Sequence, residues 1–207
     1  MRNLIATALL GAAFVAAPAF ANPIKDPAES PSGTYTLDPT HASVVWKVSH
    51  LGLSGYTARF DKIDATLEWN SEDPTASSVS VTIDPMSVST GYPKTEESDF
   101  DKKLATGEDW FNAGEFATIT FTSTAVEMTG EDTGTVTGDL TLLGVTKPIT
   151  LDVTFNGGLM NRFAQKWAMG FSGTTTLSRS EWGFDTYVPT IGDEVTILIE
   201  AEFIKAD

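Results

Sequence analysis

The chain has 207 residues, a net charge of −15 and no cysteine. Without cysteine there is no disulfide, no thiolate metal site, no cysteine nucleophile and no cysteine-linked lipid. The acidic balance disfavours nucleic acid and anionic membrane faces as partners, and the length suits one domain with enough core to fold alone.

Residues 1–21 read as a secretory signal peptide. Met1-Arg2-Asn3 is a positive start, residues 4–17 are an uncharged apolar run, and Ala19-Phe20-Ala21 is a small-x-small cleavage site. That run is too short to span a bilayer, and no later stretch approaches the ~20 apolar residues a spanning helix needs. A soluble exported protein, periplasmic or secreted, is the expectation. Residues 22–33, with Pro23, Pro27 and Pro31, read as an extended, loosely held leader. Residues 34–207 follow as one domain.

Beyond the leader the dominant period is two. Ala42, Val44, Trp46, Val48 and His50 share one strand face; Ser43, Val45, Lys47 and Ser49 share the other. Alternation returns at Ile63, Ala65, Leu67, Trp69 and at Val79, Val81, Ile83. It recurs at Ile149, Leu151, Val153, Phe155, at Trp167, Met169, Phe171, and from Val195 through Ile197, Ile199 and Ala201 to Phe203. Residues 118–128 and 134–143 are Thr-rich and strand-like. Turn signals fall at residues 52–55, 70–74, 130–134, 144–148 and 156–158. One helix is predicted over 98–104, with Ser98 as N-cap, Asp101 at its third position and Phe100 and Leu104 on its apolar side. About eight antiparallel strands and one helix make an all-β barrel or sandwich, which periodicity alone does not separate.

Chemistry-bearing motifs are sparse. His41 and His50 are the only histidines, and their spacing puts them on opposite faces of a continuous strand. No phosphate loop, nucleophile elbow or His-Glu-x-x-His occurs. Acidic pairs such as Asp61 with Asp64, or Asp193 with Glu194, do not follow a calcium-loop pattern and read as solvated surface. The reading predicts no enzyme, no catalytic residue, no metal and no cofactor.

Five blocks resemble the YceI-like family of exported polyisoprenoid-binding proteins. They are Tyr35-Thr36-Leu37-Asp38-Pro39-Thr40-His41-Ala42-Ser43-Val44 with His50-Leu51-Gly52, Asp109-Trp110-Phe111, Ala117-Thr118-Ile119-Thr120-Phe121, the run from Gly138-Asp139-Leu140 to Gly144-Val145-Thr146-Lys147-Pro148, and Arg179-Ser180-Glu181-Trp182-Gly183. They span about residues 34–205 in order. Lys103 stands where a histidine is common in the family, and Ser49 where a basic residue often precedes His50. The resemblance implies an eight-stranded lipocalin-like barrel whose lumen is closed by the short helix and holds a long apolar lipid of polyisoprenoid or quinone type. It also implies a membrane cytochrome as a protein partner, with the chain a monomer or homodimer.

On that basis the lumen is expected to be lined by Val44, Trp46, Val48, His50, Phe60, Leu104, Trp110, Phe111, Phe121, Phe155, Trp167 and Phe171. His50, Arg59 and Arg179 are the headgroup candidates, with His50 at the mouth or else an ordinary core histidine. Two other classes stay open: an enzyme acting on isoprenoid lipids, and a ligand-free structural or stress-response protein with a filled core. A membrane-spanning barrel is disfavoured, because Asp152, Glu200 and Glu202 on outward faces are costly in lipid.

Overall fold

A computed structural model describes residues 22–93 and 95–207; the segment read as a signal peptide, 1–21, lies outside the described residues. The alternating runs form ten strands: β1 (Gly33–His50), β2 (Ser54–Phe60), β3 (Ile63–Trp69), β4 (Ser78–Ile83), β5 (Val88–Ser89), β6 (Ile119–Met128), β7 (Thr133–Leu142), β8 (Val145–Asn161), β9 (Lys166–Ser178) and β10 (Ile191–Lys205). Each ladder is antiparallel, and β1 pairs with both β10 and β3. The ring β1-β3-β4-β6-β7-β8-β9-β10 therefore closes into an eight-stranded barrel, a size that can enclose one small ligand.

β1 changes partner along its length. Gly33 to Thr36 pair with β3, and Val44 to His50 pair with β2. The switch coincides with a register break between Leu37 and Ala42, where Asp38-Pro39-Thr40-His41 interrupts the ladder to β10. β2 and β5 thus splay from the ring at one end of the barrel. Here the one α-helix of the described residues, α1 (Phe100–Thr106), packs against β5 and the turn Pro85–Ser87. Its buried Leu104 and Ala105 join Phe60, Val88, Phe111, Ile119, Leu142 and Trp182 in one core cluster. The expected closure of the lumen by the helix is what the fold contains. Asp99 rather than Ser98 is the N-cap, accepting from the Lys102 backbone N–H at 3.1 Å. Asp101 accepts from Thr90 instead.

The opposite end is closed by the segment read as a loosely held leader. It is docked: Ile24 exchanges backbone hydrogen bonds with Gly158 at 2.8 and 2.9 Å. Pro27 and Ser30 are buried, and the Trp69 indole donates to the Ser30 carbonyl. Two turn assignments also change. β8 runs straight through Asn156-Gly157-Gly158, where a bulge replaces the expected turn. Gly157 has φ 129° and lies against Pro23 and the Ile24 carbonyl, so the glycines admit the docked segment rather than reverse the chain. Similarly, the β7–β8 reversal needs only Leu143 and Gly144 (φ 49° and 73°), which leaves Pro148 inside β8 opposite Asp139.

Beneath the docked segment, Tyr35 is fully buried and its hydroxyl donates to the Pro31 carbonyl at 2.6 Å. Burial pushes the phenol up to about 12. Because the fold favours the neutral phenol, its contribution to stability is complete below the unfolded value of about 10 and is lost as pH rises through about 12. In a spectrophotometric titration, one of the four tyrosines should ionise last, and Tyr35→Phe should abolish that step. An unchanged titration curve in the variant would contradict it.

Candidate functional site

The inward faces enclose one cavity of about 710 Å³, in the upper part of the ~300–1,000 Å³ range of small-molecule sites. Its wall is almost wholly hydrocarbon. Each ring strand contributes alternate residues, as the pleat dictates. Examples are Val44, Trp46 and Val48 from β1, Val79 and Val81 from β4, Ile149 to Phe155 from β8, and Val195 to Phe203 from β10. Gly138 leaves room for the Phe121 ring: a Cβ there would lie 2.5 Å from both Phe121 Cζ and the Thr122 carbonyl. The cavity runs from Pro27 and Trp69, under the docked segment, to His50, Tyr92, Lys103 and Tyr187 beside α1.

At the helix end the lining is aromatic. Phe111 meets Phe60 and Phe184 edge-on with centroids 5.3 and 5.2 Å away, and Trp110 meets Phe184 at 5.8 Å. Trp46 lies 6.3 Å from Tyr56 and 6.5 Å from Phe111. At the docked-segment end, Trp69 stacks on Phe155 at 6.3 Å, and Phe171 contacts both.

The structure brings together Val44, Trp46, Val48, His50, Phe60, Leu104, Trp110, Phe111, Phe121, Phe155 and Phe171 on the cavity wall. His50 is exposed at the mouth rather than a core histidine. Trp167 is a correction. It shares the inward parity of β9 but lies beyond the end of the cavity, with its indole nitrogen next to Gly158 and the docked segment. Strand parity gives the face and not the depth, and depth was decided by a segment that carries no strand pattern.

Arg59 is a second correction. It alternates with lumen-facing Phe60 and therefore points outward, where its Nε bonds exposed Asp61 at 2.7 Å. Arg179 does border the cavity, yet its guanidinium is occupied. Nε donates to Gly192 O (2.9 Å), Nη1 to Phe184 O (2.7 Å), and Nη2 to Thr186 O (3.0 Å) and Ile191 O (3.1 Å). It is 5% exposed, and that burial lowers its pKa from the ordinary value, against the pull of Asp193 and Asp185. Neighbouring Ser180 donates from N and Oγ to Asp193, which holds that carboxyl below its usual range. Trp182 donates to the Leu140 carbonyl, and Gly183 takes the left-handed conformation (φ 79°) that ends the turn. The Arg179-to-Gly183 block is a clamp that fixes the rim loop 184–191 to the barrel.

Sequence reading missed Tyr56, Phe184 and Tyr187 on the wall. For Tyr56 a signal existed: it shares the parity of Phe60 along β2, on the same face of the β1–β2 ladder as Trp46. Phe184 and Tyr187 sit in a loop, where no periodicity marks a facing direction. On the outer surface Asp38, His41 and Glu202 cluster, with the His41 imidazole raised chiefly by its hydrogen bond to Asp38. They lie apart from the lumen.

The chain matches the family model of the YceI-like domain over residues 35–203. It is 32% identical over 207 residues to a "UPF0312 protein" of Ectopseudomonas mendocina (strain ymp), which covers 99% of each chain. The crystal structure of a Campylobacter jejuni YCEI protein superposes with a TM-score of 0.66 at 28% identity, over 78% of this chain and 91% of that one. A polyisoprenoid binding domain from Saccharophagus degradans implicated in plant cell wall breakdown superposes at 0.61 with 19% identity, over 83% of this chain and 98% of that one; this likeness is one of fold.

Proposed function

The chain belongs to the YceI-like family, and from that premise we propose that it binds one long apolar lipid, of polyisoprenoid or quinone type, in the barrel lumen and carries it outside the cytoplasm. The single observation that carries this reading is the hydrocarbon-walled cavity of about 710 Å³ lined by the inward faces of the barrel strands. A filled core would have no such space at native packing density. The fold neighbour whose name is polyisoprenoid binding domain supports the same ligand class.

Burial alone can supply the affinity. Each enclosed methylene contributes about 0.8 kcal/mol, so a chain with roughly twenty of them gains about 16 kcal/mol gross. Association and ordering remove about 4–15 kcal/mol of that, which leaves room for useful binding without many polar contacts. The barrel is apolar inside and charged outside, at Asp152 and Glu200 for example, the reverse of a lipid-embedded barrel. A periplasmic or secreted location follows the signal-like start of the chain.

The test is a titration of delipidated protein with a long polyprenol, followed by tryptophan fluorescence. Saturable binding of one polyprenol per chain is expected, weakened by Trp46→Ala and unchanged by Val45→Ala on the outer face of the same strand. Binding that is absent, or that does not distinguish the two variants, would contradict the lumen as the site.

A further inference from the structure

The mouth of the lumen carries apolar side chains on its outside as well as on its wall. Tyr92 and Tyr187 line the cavity and are also open to solvent, at 47% and 64% exposure. Next to His50 on the same wall, the turn between β1 and β2 holds out Leu51 (52% exposed) and Leu53 (84%). These pieces form one rim. The Leu51 backbone N–H donates to the Thr190 carbonyl and that of Ile191 to the Tyr187 carbonyl, which ties the turn to the Tyr187 loop. The Tyr187 ring lies 6.0 Å from Trp110, and the Tyr92 ring 5.2 Å from Phe100, so both tyrosines rest on aromatics of the helix end.

The chain alone gains little from this arrangement. Exposed leucines leave hydrocarbon in water. Leu51 also has φ 57°, the left-handed region that is costly for a residue with a Cβ and that turns ordinarily fill with glycine or asparagine. A surface that runs from an apolar lumen out to such side chains fits a partner that is hydrocarbon beneath a polar skin. Leucines can enter an acyl layer, while tyrosines sit at headgroup level with the ring buried and the hydroxyl wet. A long apolar chain held in the lumen has to come from such a layer, because each methylene resists transfer through water.

Charge narrows the class of surface. Exposed acids flank the rim: Glu96 and Glu97 follow Tyr92, Asp109 precedes Trp110, and Asp185 shares the Tyr187 loop. Lys103 is exposed on the wall here, but the chain as a whole stands at −15. An anionic lipid surface is therefore repelled and a neutral one is not. The competing apolar tip is Phe163, fully exposed in the turn between β8 and β9. It lies at the other end of the barrel, where Pro27 of the docked segment forms the cavity wall, so a bilayer there would meet that segment.

We propose that the Leu51–Leu53 turn, with Tyr92 and Tyr187, docks the mouth of the barrel on an electrically neutral lipid surface, so that the bound chain passes between bilayer and lumen without crossing water. This rests on the lipid-carrier reading and adds the place of entry and the kind of surface it faces.

The experiment sediments the protein with sucrose-loaded vesicles of phosphatidylcholine, or of an equal mixture of phosphatidylcholine and phosphatidylglycerol. The wild type should bind the phosphatidylcholine vesicles. It should bind the mixed ones less at low salt and recover as salt screens the repulsion. Leu51→Asn combined with Leu53→Asn should lower partitioning by at least about tenfold, since two leucines leave the acyl layer, whereas Phe163→Asn should partition like the wild type. Neither leucine lines the cavity, and asparagine suits the backbone at position 51, so melting temperature and polyprenol affinity of the double variant should hold. A double variant that sediments like the wild type, a loss in Phe163→Asn instead, or tighter binding to the mixed vesicles would each overturn docking at the mouth. So would a wild type that binds neither vesicle, including one whose rim pairs two copies of the chain in a dimer that the double variant loses. With polyprenol binding retained, all of these leave the lipid carrier intact. Vesicle docking without polyprenol uptake would keep the docking surface and overturn the lipid-carrier reading.

Discussion

Replacing Arg179 with methionine is expected to cost about 3–5 kcal/mol of stability, a large share of the ~5–15 kcal/mol typical of a domain. The side chain would still fill its space, but the carbonyls of Phe184, Thr186, Ile191 and Gly192 would lose their shared donor. Each buried acceptor left unsatisfied costs about 1–3 kcal/mol, offset in part where water reaches the loop. Arg179→Lys should recover little, because an ammonium cannot reproduce a planar fork that bonds several carbonyls at once. Urea denaturation with matched slopes measures the loss. If Arg179→Met unfolds like the wild type and loses only lipid, the clamp assignment is wrong and Arg179 is a headgroup ligand after all.

Filling the lumen should have the opposite signature. Gly173 lies on the cavity wall, and a Cβ there would make ordinary contacts at 3.5 and 3.7 Å with Ile199 Cβ and Cδ1. Gly173→Phe therefore has space to project its ring into the lumen without displacing backbone. In a tightly packed core, so large an insertion would cost at least about 1–3 kcal/mol. In an open lumen, stability should hold or rise, because the ring buries apolar area in space that is already there. Polyprenol affinity should fall by at least about tenfold, since the ring takes volume the chain needs. Thermal melting and the fluorescence titration read the two effects separately. A large drop in melting temperature with unchanged affinity would mean that the ligand lies elsewhere.

The inward face of each long strand was legible in the sequence because the pleat converts a period of two into a facing direction. That is why eleven of the expected wall positions, Val44 through Phe171, lie on one cavity. Parity carries no information about position along the barrel axis, so Trp167 was placed in the lumen although the docked segment claims it. Docking of residues 22–32 left no periodic trace: it depends on single backbone hydrogen bonds at Ile24 and on glycines 157 and 158, whose compositional signal is that of a turn. Arg179 illustrates a further limit. An arginine near a ligand space reads as an anion site until its carbonyl partners are known, and those come from a loop whose course no local pattern predicts. Tyr56 was missed for a plainer reason. Its seven-residue strand, β2, is too short and too polar to stand out beside β1.

The most direct test of a lipid in the lumen is organic extraction of the natively purified protein, with the released lipid identified and counted by mass spectrometry. Binding in the lumen predicts one dominant long-chain lipid at close to one per chain, depleted in Gly173→Phe purified alongside. An extract of the wild-type protein without lipid, from a chain that also takes none up from a lipid mixture, would contradict it.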